Sequence, residues 1–192
     1  MGKTCILQRL IKQHFEEEHN VTIGVEFGNF GMVMREQTHV KLQIWDTAGQ
    51  ESFRSITRLF YKDSDAVFVC FDLTCRKSFD ELKSWLEEVN NNTGSGLVRY
   101  LVGNFADLPD ERAVSTEEAK AFMREHGFSH YLETSAKSGQ NVNELFETIT
   151  KHLFITHEAN LDKFVSRMRR DVIKLIRKTM TIRQSQLQAS FP

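Results

Sequence analysis

Residues Asp65 to Leu73 form an almost unbroken apolar run, Asp-Ala-Val-Phe-Val-Cys-Phe-Asp-Leu. A segment this short and this apolar suits a strand buried on both faces, which is the habit of parallel sheets covered by helices. The rest of the chain alternates to match. Lys3 to about Glu18 reads as a helix, and Val25–Met34 and His39–Asp46 read as a pair of strands around the polar turn at residues 35–37. Ser78–Asn91 has helical spacing at Phe79, Leu82, Trp85, Leu86 and Val89, and Leu97–Gly103 is another strand. Ser115 and Glu118 make a capping box for a helix that stops at Gly127. Tyr131–Thr134 is a short strand, and Asn141 with Glu144 repeats the capping pattern before Leu145–Phe154. The expectation is an α/β fold, a mostly parallel sheet with helices on both faces.

The 192 residues fit one domain plus an appendage, and 40% apolar content is enough for a core. The net charge of −1 hides an asymmetry: residues 151–192 carry +6 and residues 1–150 carry −7. An acidic body argues against nucleic acid as its partner. Cys5, Cys70 and Cys75 form no even set and no metal-ligand spacing, so reduced thiols in a cytoplasmic protein are expected, with Cys5 and Cys70 in the core. No signal peptide is read, because the chain opens with Gly-Lys-Thr. Ala66–Phe71, the longest apolar run, is too short to span a bilayer.

Five short motifs carry chemistry. The strand from His39 ends at Trp45-Asp46-Thr47-Ala48-Gly49-Gln50-Glu51. An acid at a strand's carboxyl end can hold a metal-bound water, a glycine lets backbone N–H approach a terminal phosphate, and a glutamine can orient an attacking water. The same residues alone would also suit a strand, a turn and a polar surface. Gly2-Lys3-Thr4 at a helix start matches the end of a phosphate loop, where lysine reaches phosphate oxygens and threonine binds Mg²⁺. Three residues alone are a weak signal. Thr22, in a polar loop, offers a hydroxyl to complete a metal shell, though such a threonine is commonly a turn residue. Asn104 and Asp107 follow a strand at i and i+3, and a carboxylate accepting two N–H bonds suits a guanine edge. A helix cap or turn is the plainer alternative there. Residues Glu133-Thr134-Ser135-Ala136-Lys137 could offer a backbone N–H to the same base.

In this order and spacing the five motifs resemble the Ras superfamily of small GTPases, over about residues 2–154. Within it the segments at 22–27, 45–57 and 133–137 resemble the Rab family most closely. The resemblance implies a Ras-like phosphate-loop fold, GTP/GDP and Mg²⁺ as ligands, and an exchange factor, a GAP and Rab effectors as partners. It assigns nucleotide contacts to Gly2, Lys3, Thr4, Cys5, Thr22, Asp46, Gly49, Asn104, Asp107, Ser135, Ala136 and Lys137. Thr4, Thr22 and, through water, Asp46 would hold the metal, and Gln50 would be catalytic by placing the hydrolytic water. Ile23, Phe27, Trp45 and Phe60 would form the effector surface, for which core packing is the alternative reading. Hydrolysis would release the switch loops that the γ-phosphate orders, so effectors would be recruited in the GTP state.

Three departures qualify the resemblance. The family's first strand and the start of its phosphate loop have no counterpart here, so the expectation is an N-terminally truncated form lacking a central strand. Impaired nucleotide binding would follow. Phe105 stands where the guanine motif has lysine, keeping stacking but not charge, which predicts weaker nucleotide affinity. No cysteine follows Cys75, so C-terminal prenylation is not expected. The expected domains are 1–154 and a basic tail, 155–192. On a helical wheel Leu161, Val165, Met168, Val172, Leu175 and Ile176 share one arc, opposite Lys163, Arg167, Arg170, Lys174, Arg177 and Lys178. Residues 158–183 could therefore lie on an anionic membrane or dock on a partner. The leading function is a switch in vesicle traffic, cytoplasmic and peripheral on endomembranes. The rival is a non-catalytic, GTPase-derived interaction module; an ATP-using enzyme is disfavoured by Asp107 and the 133–137 motif.

Overall fold

The computed structural model describes residues 1–16, 22–35, 38–49, 60–61, 64–94 and 96–167, with side chains to residue 158. It divides into two compact units, Met1–Leu153 and Phe154–Pro192. Helix α1 spans Lys3–Lys12, and Ile6, Leu7 and Leu10 form its buried face. Gly2 caps it in the left-handed conformation (φ 66), and a side-chain carbon there would lie 2.7 Å from Asn104 Nδ2, so only glycine fits. The helix ends well before Glu18. Gln13 turns left-handed (φ 55), its N–H donates to the Arg9 carbonyl, and the helix closes.

Strands β1 (Val25–Val33) and β2 (His39–Thr47) pair antiparallel in the register Phe27↔Trp45 and Glu26↔Asp46. Side chains alternate across a strand. Leu42, Ile44 and Asp46 therefore turn inward while Trp45 turns out. Strand β3 (Ala66–Asp72) runs parallel to β4 (Val98–Asn104), which runs parallel to β5 (His130–Glu133). The sequence places β3 as a buried strand. Its pairing is parallel as expected, but among the described residues it lies at an edge, and five of its seven residues are only partly buried. The fully covered strand is β4, flanked on both sides. Among the described residues β2 and β3 share no ladder, so the strands form a two-stranded and a three-stranded sheet. A cavity lies along β3, lined by Lys3, Ala48, Gly49, Val67, Val69 and Trp85 among others.

The helical reading from Ser78 resolves into α2 (Arg76–Asp80) and α3 (Leu82–Asn92), joined at Glu81. Helix α4 (Thr116–Glu125) begins as expected, with the Ser115 side chain accepting from the Glu118 N–H. Helix α5 (Val142–Arg167) starts differently from its capping pattern. Asn141 is left-handed (φ 56) and its amide donates to the Glu133 carbonyl at 2.8 Å, tying the helix start to β5 instead of capping it. Two apolar clusters sandwich the parallel strands. One joins Ile6, Leu10, Tyr100, Val102, Leu132, Leu145 and Phe146. The other joins Val69, Phe71, Leu82, Leu86, Leu101 and Phe122. Cys5 and Cys70 pack against the first cluster, and burial pushes the Cys70 thiol up to about 11 and raises that of Cys5. Among the described residues no helix is long and apolar enough to cross a membrane.

Candidate functional site

Three oxygen-bearing side chains meet at the start of α1. Thr4 Oγ1 donates to Asp46 Oδ2 at 2.6 Å and lies 2.6 Å from Thr22 Oγ1. They come from a helix, a loop and a strand end. The Ala48 N–H donates to the Gly24 carbonyl, which holds the Thr22 loop against the end of β2. Asp46 is buried, and burial raises its carboxyl above the ordinary value while the Thr4 hydrogen bond and Lys3 pull it back. Such a carboxylate gains from a cation. Two hydroxyls and one carboxylate are hard oxygen donors at contact distance, which fits Mg²⁺ completed by water and phosphate oxygens. Among the described residues no group of three or more His, Cys, Asp or Glu side chains could hold a metal. Lys3 reaches over Gly49: its Nζ lies 2.9 Å from where a side-chain carbon on Gly49 would stand.

A second group of residues meets at the carboxyl ends of β4 and β5, where open α/β sheets bind ligands. Asn104 is buried and fully engaged. Its Oδ1 accepts from the Ala136 N–H (3.2 Å) and Thr134 Oγ1 (3.3 Å), and its Nδ2 donates to the Met1 carbonyl (3.2 Å). One amide thus joins the phosphate-loop end of the chain to the 133–137 loop. Ser135 is buried and shapes that loop: its Oγ accepts from the Ser138 N–H and its carbonyl from the Gly139 N–H. Asp107 is half-buried, and among the described residues no hydrogen bond engages its carboxylate. Phe105 is left-handed (φ 69), with two ring carbons 3.7 Å from where a Gly2 side chain would begin.

The third group faces solvent. The Phe27 and Trp45 rings are 4.7 Å apart, as their cross-strand register requires, and Trp45 lies 4.9 Å from Phe60. Phe27 and Trp45 are each 47% exposed and Ile23 is 85% exposed, while Phe60 is partly buried. Gln50 lies outside the described residues, as do the side chains of the tail from residue 159. Cys5 sits in the first turn of α1, its side chain turned to the core.

Two features escape the motifs. Arg9 donates to the carbonyls of Ala136 and Lys137 from α1. Arg112 and Thr116 both bond Glu133, as does Tyr131. Their only sequence signal is polarity at positions beside apolar ones, which most surface residues share.

The family model for the Ras family matches residues 1–155. The match begins ahead of Lys3 and ends within α5, so it takes in both ligand-facing groups and the sheet between them. A match over most of the chain, on an α/β fold, goes beyond shared motifs: this chain belongs to the Ras family.

Proposed function

We propose that this small GTPase is a Rab-type switch, which binds GTP and GDP with Mg²⁺, hydrolyses GTP and recruits effectors in vesicle traffic. The observation that carries the nucleotide reading is the convergence of Thr4, Thr22 and Asp46 within 2.6 Å contacts. In this reading Mg²⁺ supplies charge stabilisation to the phosphates, and Lys3 holds their oxygens as a second cation. Asn104 and Asp107 with the Ala136–Lys137 backbone hold guanine, and Gln50 orients the attacking water. The Rab reading draws on the segments at 22–27, 45–57 and 133–137 and on the exposed aromatic group. That group is the face offered to effectors, with exchange factor and GAP acting on the loops beside it. The chain works on the cytoplasmic side of endomembranes, reached through its basic tail.

The test is Gln50→Leu in the full chain. GTP hydrolysis should fall at least about tenfold while GTP stays bound, and effector retention should rise. A wild-type chain that retains no guanine nucleotide with Mg²⁺ present sinks the reading. Among the described residues β2 and β3 share no ladder, which favours one rival in that event, a non-catalytic interaction module that presents the same aromatic face without a nucleotide cycle.

A further inference from the structure

We propose that Arg9 is a positioning residue that sets the guanine-binding loop from the phosphate-binding helix; this rests on the nucleotide reading above. Arg9 Nε donates to the Ala136 carbonyl at 2.7 Å and Nη2 donates to the Lys137 carbonyl. Nη1 donates to the carbonyl of Gln13, the residue that ends α1, at 3.3 Å. One planar cation therefore closes over three carbonyls, two of them in a loop more than a hundred residues away. The guanidinium also sits 5.9 Å from the centre of the Phe15 ring. The loop passes close beneath the side chain at Gly139 (φ +84), where a side-chain carbon would lie 3.7 Å from Arg9 Cδ.

The loop's internal bonds, from Ser135 to Ser138, Gly139 and Gln140, define its shape but not its place against α1. Asn104 fastens it from the strand side and Arg9 from the helix side. The peptide unit is planar and trans, so its C=O and N–H point opposite ways. Holding the Ala136 carbonyl on Arg9 turns the Lys137 N–H away from α1. The direction of that N–H is what a base oxygen reads. Because α1 also starts with Lys3 and Thr4, Arg9 holds the base-reading backbone at a fixed span from the phosphate and metal ligands. Lysine cannot replace it, since a single ammonium lacks the fork that serves carbonyls side by side.

The test compares wild type, Arg9→Ala and Arg9→Lys as full chains. Without nucleotide, hydrogen exchange at residues 135–138 should quicken in Arg9→Ala. With nucleotide, GDP release should accelerate more than about tenfold in Arg9→Ala, as for loss of charged hydrogen bonds, and by less in Arg9→Lys. Preference for GDP over ADP should narrow in the same order, because base contacts are what is lost; a general loss of fold would not grade that preference. Wild-type release rates and an unchanged GDP/ADP preference in both variants overturn the positioning role alone. A wild type that binds no GDP overturns the nucleotide reading and this inference with it.

Discussion

Phe105 shows what a residue's identity conveys and what its conformation adds. Its sequence position suggests an aromatic ring packing where lysine is expected. The structure adds that a bulky side chain takes the left-handed region there (φ 69), which costs on the order of 1–3 kcal/mol and is tolerated only where neighbours enforce it. Neighbouring Asn104 does so, with its amide committed to Met1, Thr134 and Ala136. The ring packs beside Gly2 but brings no charge to the phosphate loop. Phe105→Lys should therefore slow GDP release by about tenfold, the scale of one charge-assisted hydrogen bond. Following a fluorescent GDP analogue after excess GDP is added measures this, and an unchanged off-rate refutes it. Asp46, Thr4 and Thr22 could be singled out from the sequence because each falls in a short motif, and the structure brings the three together. Arg9 was not, because an arginine on an amphipathic helix carries no motif.

Between elements, polar contacts hold what the apolar clusters leave free. Glu133 at the end of β5 accepts from both Arg112 nitrogens (3.1 and 2.6 Å), from Thr116 at the start of α4 and from Tyr131. Burial alone would raise its carboxyl. The Arg112 hydrogen bonds, followed by those of Thr116 and Tyr131, outweigh it and hold Glu133 below its ordinary value. A depressed acid stabilises the fold above its unfolded pKa, about 4.3, and that stability is lost as pH falls through the folded value. Glu133→Gln should thus lower the melting temperature at pH 7, and the gap to wild type should close below about pH 4. A gap that is constant with pH would show that the charge is irrelevant. The order of the described elements was legible, and their existence too apart from the break at Glu81 that divides one expected helix into α2 and α3, since hydrophobic period and cap residues are local. Element ends were not: α1 stops at Lys12 because Gln13 turns left-handed beside Arg9, and Asn141 spends its amide on β5.

Over the whole molecule, charge and sheet topology dominate. The −7 body and +6 tail predict that the full chain co-sediments with vesicles containing phosphatidylserine at low salt. At about 1 M salt, where screening falls to roughly 3 Å, it should be released. Equal binding to neutral vesicles, or no salt dependence, would remove the tail's proposed role. By itself the sequence determined the α/β class and the order of the main elements, because periodicity and turn residues act over a few positions. Tertiary structure decided that, among the described residues, β3 is an edge and β4 the centre of its sheet, and that β2 and β3 share no ladder. It decided too that Thr4 meets Asp46 across 42 residues and Arg9 meets Ala136 across 127. Such meetings depend on how every intervening element packs, which no local pattern encodes.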